Sequence, residues 1–87
     1  MRESVIEHAV CQFAEGRGWF VRKLAWPGRT SAPDRLMIRR GQVVFVEFKA
    51  TGEVPRPDQV REHTRMRVKG ATVLVIDSIE QGERLLA

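Results

Sequence analysis

An α/β fold, with helices flanking a mixed four-stranded sheet, is predicted by three features of the sequence. Apolar residues recur at helical spacing near the N-terminus, at Ile6, Ala9, Val10 and Phe13, until Gly16 and Gly18 end the pattern. Two apolar runs, Leu36 to Ile38 and Val43 to Val46, flank Arg40-Gly41-Gln42, which reads as the tight turn of a β-hairpin. A further run, Thr72 to Ile76, closely follows a second helical segment. Strand, helix and strand then form a crossover unit, whose two strands are parallel.

The elements follow in order. Ser4 begins the first helix. Trp19, Phe20, Val21 and Leu24 make a first strand, and Trp26-Pro27-Gly28-Arg29-Thr30-Ser31 is a loop rich in breakers. Leu36, Met37 and Ile38 form the second strand, and Val43 to Lys49 the third. Ala50 to Arg56 is a polar connection, Pro57 suits the first turn of a helix running to about Lys69, and Gly70 stops it. Thr72 to Ile76 is the fourth strand. Ser78-Ile79-Glu80-Gln81 reads as a capping box that opens a last short helix ending at Leu85 and Leu86. The order is α-β-β-β-α-β-α. Without a repeat, a low-complexity segment or a composition break, residues 1–87 are expected to form one domain.

Composition narrows the classes of function. Hydrophobic residues are 43% and charged residues 30%, which is ordinary for a folded protein and argues against disorder. Lys and Arg number 15 against 11 Asp and Glu, a net charge of +4, and the pI of about 10.2 suits a polyanionic partner. Cys11 is the single cysteine, so no intramolecular disulfide or thiolate cluster can form, and its place among apolar helix positions predicts a buried thiol. No stretch approaches a membrane span and no signal-peptide core is present, so an intracellular protein with no membrane partner is expected.

Two clusters carry chemistry. On a strand Glu47 and Lys49 share a face while Phe48 points to the other. If Asp34, after Pro33, opens the preceding strand of the hairpin, its carboxylate lies beside Glu47. Two acids sharing a site favour a divalent cation, which polarises a phosphoryl oxygen and activates water. The Phe48 carbonyl can add a third oxygen, and the Lys49 ammonium can orient the attacking water or stabilise developing negative charge. The competing reading makes Asp34 a turn residue and Glu47 with Lys49 a surface ion pair. Burial favours the site, because a carboxylate in a central apolar strand is costly without a cation.

Other residues keep two readings. Glu7 can approach the same site from the first helix, or can close a capping box with Ser4. Gln59 can bond Lys49 or a metal-bound water, or be an exposed glutamine. His8 and His63 lack a second ligand at metal spacing and are expected at the surface. Arg56, Arg61, Arg65, Arg67 and Lys69 cluster around the second helix, and Arg22, Lys23 and Arg29 flank the loop before Asp34. They are solvated faces or phosphate contacts. Trp26 stacks on bases or plugs its own loop.

With Glu7, Pro33-Asp34-Arg35, Val46-Glu47-Phe48-Lys49 and Gln59 in this order, the chain resembles a stand-alone VRR-NUC domain. That is the virus-type replication-repair nuclease branch of the PD-(D/E)xK superfamily. The likeness runs from Glu3-Ser4 through Val75-Ile76-Asp77-Ser78, and the Pro-Gly-Arg loop and the Asp58-Gln59 to Glu62-His63 run support it. It implies a restriction-endonuclease-like core and Mg2+- or Mn2+-dependent cleavage of DNA. Asp34, Glu47 and the Phe48 carbonyl would hold the metal, with Lys49 as the catalytic lysine and Gln59 in the active site. Glu7 would match the helix glutamate of archaeal-type Holliday junction resolvases.

Arg29, Arg35, Arg56, Arg61, Arg65 and Trp26 are the expected DNA-contacting set. Small members of the family occur in phages and prophages and are similar to homodimeric junction resolvases. A four-way junction is two-fold symmetric and needs two opposed cuts, which a C2 homodimer supplies. The expectation is a structure-selective endonuclease acting on branched DNA, foremost on Holliday junctions. The alternatives are a flap or nicking nuclease, a non-catalytic module that binds branched or duplex DNA, and a protein-interaction domain.

Overall fold

The computed structural model describes all 87 residues, Met1–Ala87. In chain order the elements are α1 (Glu3–Gly16), β1 (Phe20–Lys23), β2 (Arg35–Arg39), β3 (Gln42–Phe48), α2 (Pro57–Val68), β4 (Thr72–Ile76) and α3 (Ile79–Leu86). They form one mixed sheet of order β1-β2-β3-β4, antiparallel except for the parallel pair β3 and β4. The α/β class, the element order and the crossover unit are as the sequence predicts. No helix is long and apolar enough to cross a membrane.

The hairpin shows why local chemistry sets the register. Arg39 pairs with Gln42, so the turn is only Arg40-Gly41 and Gln42 already belongs to the strand. Both turn residues have positive φ, 52° and 77°, the backbone twist that matches paired strands. Alternation then sends Val44, Val46 and Phe48 to one face, where they are buried with Met37, Ile76 and the helices α1 and α3. Phe45 and Glu47 fall on the opposite face, on the side of α2. That helix packs against β4 and leaves β1, β2 and the start of β3 uncovered on this face, so Phe20 and Val43 stay about half exposed.

Two details of the helices differ from expectation. The buried stripe of α1 is Ile6, Val10, Cys11 and Ala14, whereas Ala9 and Phe13 are half-buried. The rotation follows from α3, which packs closely enough that a Cβ on Gly82 would lie 2.5 Å from a Val10 methyl. The thiol of Cys11 is buried, as expected. Helix α1 also starts one residue earlier than Ser4, with Arg2 before it and no side-chain cap, so the Ser4–Glu7 capping box does not form.

Around the third helix the cap is nearly as read. Ser78 Oγ accepts from the Gln81 N–H at 3.1 Å, but Gln81 Oε1 accepts from the Asp77 N–H, one residue before the expected donor. The indole N–H of Trp19 donates to the Leu86 carbonyl at 2.9 Å, which fastens the end of α3 to the start of β1.

Candidate active site

The hairpin and the crossover unit together bring Asp34, Glu47, Lys49 and Gln59 to one place. Asp34 immediately precedes β2, and its carbonyl accepts from the Leu24 N–H at 3.2 Å. Its carboxylate reaches across the hairpin, where Oδ2 accepts from the Phe48 N–H at 2.7 Å. That bond sets Asp34 beside the end of β3 while the Phe48 ring is fully buried in the core.

Glu47 points to the α2 side and is only 2% exposed. Its Oε2 accepts from Gln59 Nε2 at 3.1 Å and lies 3.7 Å from Lys49 Nζ. The other face of the same amide serves the helix, because Gln59 Oε1 accepts from the Arg56 N–H at 3.0 Å. One side chain therefore caps α2 and holds a buried carboxylate. Glu47 Oε1 has no hydrogen-bond partner, and neither has His63 Nε2, 3.7 Å away.

Electrostatics make the pair strained as an isolated set. Burial, then repulsion from Asp34, pushes the Glu47 carboxyl up to about 7 from its ordinary 4.5, with Lys49 pulling the other way. Burial also raises Asp34, partly offset by the Phe48 N–H. His63 is held below the usual histidine range by burial and by the Arg67 and Lys49 charges. What this cluster lacks is positive charge on the bare Glu47 oxygen.

A hard divalent cation fits that deficit, and Asp34 with Glu47 are the residues able to hold it. No third Asp, Glu, Cys or His joins them in a ready ligand group. Two carboxylates with water completing the shell suit Mg2+ better than an all-protein cage does.

Two residues near the site were missed in the sequence. His63 is not at the surface, as expected, but 1% exposed behind Glu47. Its place was readable in principle, since Gln59 and His63 are four apart on one face of α2. Glu3, in the first turn of α1, is exposed; partial desolvation, then the Asp34 charge, raises its pKa, and its charge is felt by Glu47. It has no ion pair.

Glu7, one turn further along, is instead engaged by Arg35, whose Nε lies 2.8 Å from Glu7 Oε2. Arg35 thus spends part of its guanidinium on the helix, and the Glu7 charge acts on Asp34. His8 is exposed, as expected.

Among the basic set, Arg29, Arg56, Arg61 and Arg65 are exposed. Arg56 pairs with Asp58 at 3.2 Å and Arg65 with Glu62 at 3.2 Å. Trp26 is half-buried, and its indole N–H donates to Glu62 Oε2 at 2.7 Å. That bond ties the loop to α2.

No family model matches the chain. A protein of Acyrthosiphon pisum secondary endosymbiont phage 1, named "Putative nuclease p44", is 42% identical over 79 residues, 90% of this chain and 85% of that protein. A solved structure described as "VRR_NUC domain" superposes with a TM-score of 0.89 at 40% identity, over 95% of this chain and 91% of that one.

Proposed function

Because the chain belongs to the VRR-NUC family of nucleases, we propose that it is a metal-dependent endonuclease that cuts branched DNA as a homodimer. The observation that carries this reading is the nearly inaccessible Glu47, with one oxygen unpartnered, beside Asp34 and Lys49. A buried carboxylate with one oxygen unpartnered is costly even with Lys49 and Gln59 on the other, which supports a further ligand of positive charge.

Held by Asp34 and Glu47, with the Phe48 carbonyl as a further oxygen, Mg2+ or Mn2+ supplies Lewis acidity toward the scissile phosphate and eases deprotonation of water. The chain's own residues do the rest. Lys49 places an ammonium where negative charge grows as water attacks phosphorus in line and the leaving oxygen departs. Gln59 fixes Glu47 through Oε2, leaving Oε1 free. His63 closes the back of the site against water. Glu3 or Glu7 adds a carboxylate from α1; Glu7 would have to share its carboxylate with Arg35, whereas Glu3 has no ion pair.

Symmetry supports the homodimer for a junction substrate. A single site nicks one strand, and paired cuts across a two-fold junction need two sites related by a C2 axis. The exposed Arg29, Arg56, Arg61 and Arg65 supply phosphate contacts. The test is incubation with labelled four-way junction, flap and linear duplex of matched sequence, in Mg2+, Mn2+ or EDTA. Paired metal-dependent cuts near the branch are expected. Equal cutting of all three would leave a nicking nuclease, and binding without any cut would leave a DNA-binding module.

A further inference from the structure

A groove with a volume of about 640 Å³ runs between the Trp26 loop and α2. Its floor is apolar, built from Trp26, Pro27, Phe45 and Met66, and Arg29, Arg65 and Lys69 stand at its rim. We propose that this groove binds an unpaired nucleobase of the DNA beside the cleavage site, with the rim cations on the flanking phosphates. This rests on the reading of the protein as a DNA nuclease and adds what its substrate must offer.

Three observations support it. First, the groove is preorganised. Trp26 is tied to Glu62 at 2.7 Å and Ser31 Oγ donates to Asp58 Oδ2 at 3.0 Å, so the loop is pinned at two points one turn apart along α2. A rigid aromatic surface costs little entropy to stack on.

Second, the groove adjoins the acid cluster. Phe45 is the same-face neighbour of Glu47 on β3, about 7 Å along the strand, and Glu62 precedes His63 on α2. A base on Phe45 and Trp26 would therefore lie one same-face strand position from Glu47.

Third, charge selects the occupant. The carboxylate of Glu62, which lines the groove, is already spent on Trp26 and Arg65, which leaves a net cationic rim around an apolar floor. A nucleotide is apolar on its base and anionic on its phosphate, and so complements both. A second copy of the chain docked here two-fold would bring like charges together. Bases within a duplex do not expose a face, so the groove discriminates for DNA in which one base is unpaired, as at a branch or a gap.

The test measures affinity in EDTA for three matched duplexes: fully paired, with one extra unpaired nucleotide, and with an abasic residue at that extra position. The abasic form keeps the bend and the phosphate but lacks the base. The unpaired nucleotide is expected to bind about tenfold tighter than its abasic counterpart. Trp26→Ala should bring that ratio to about one and Trp26→Phe should keep it, with thermal melting to check that both variants fold. Equal affinity of the wild type for the base and abasic forms overturns the proposal. So does a wild-type dimer that Trp26→Ala dissociates while the two affinities are equal, which would assign the groove to a second copy. Cleavage of any of these duplexes on adding Mn2+ is read separately, so a nuclease without the base preference and a base-binding protein without cleavage give different results.

Discussion

Glu47 meets three demands at once: it is buried, it is held through one oxygen, and its other oxygen is bare. A carboxyl raised to about 7 in the folded chain, from 4.5, keeps a proton that the unfolded chain has already released. Its contribution therefore makes stability fall as pH rises from 4.5 toward about 7. His63, depressed in the fold, works the other way: the unfolded chain takes up a proton there that the folded one refuses. Comparing the wild type with Glu47→Gln isolates the first effect. Melting temperatures should show the wild type losing stability relative to the variant between about pH 5 and about pH 7.5, and added Mg2+ should restore it at the upper end. Parallel curves for the two proteins would mean that Glu47 is not strained.

The same scale separates Glu3 from Glu7. Glu3→Gln is expected to lower turnover by about tenfold or more, in line with the loss of a group that supports a metal site. Glu7→Gln is expected to act chiefly on stability, by up to about 1 kcal/mol, through loss of the ion pair with Arg35. Single-turnover rates and melting curves of both variants decide the assignment. The Glu7–Arg35 pair was not legible in the sequence, where Ser4 and Glu7 match a capping box. That box fails because the chain enters the helix at Arg2, and nothing in the local pattern reports that Arg35 reaches back from β2.

Elements explain what the sequence did reveal. The strand pair around Arg40-Gly41, the start of α2 at Pro57 and its end before Gly70, and the face shared by Glu47 and Lys49 all depend on neighbours in the chain. His63 depends on a packing partner, and lies in a helix otherwise dominated by Arg and other polar residues, so its burial had no apolar flank to announce it. The seam of α1 with α3 is similar. Gly82 is buried where the helices touch, and this close approach turns α1 so that Cys11 and Ala14, not Ala9 and Phe13, complete the buried stripe. Gly82→Ala should therefore destabilise the fold by about 1–3 kcal/mol, since Val10 is β-branched and has little rotamer freedom to retreat. Thermal unfolding checks this, and an unchanged midpoint would show that the seam can open without cost.

At the scale of the whole molecule, a small basic chain offers one acid site, an arginine-rich helix beside it and an apolar groove against that helix. Four phosphate contacts through Arg29, Arg56, Arg61 and Arg65 would weaken DNA binding on the order of a hundredfold between 50 and 200 mM salt. Titration of duplex affinity against salt in EDTA reads that slope, and a flat response would remove DNA as the polyanion. Homodimerisation is tested by sedimentation of the protein alone and with a four-way junction, where two chains per junction are expected.

The central claim is that Asp34, Glu47 and Lys49 act together on a phosphodiester. It is tested most directly by single-turnover cleavage of one labelled junction in Mn2+ by the wild type and by Asp34→Ala, Glu47→Ala and Lys49→Ala, each first shown to be folded. The account predicts cleavage by the wild type and losses of at least about a hundredfold in all three variants, with EDTA abolishing what remains. A folded variant that cuts at the wild-type rate would contradict it.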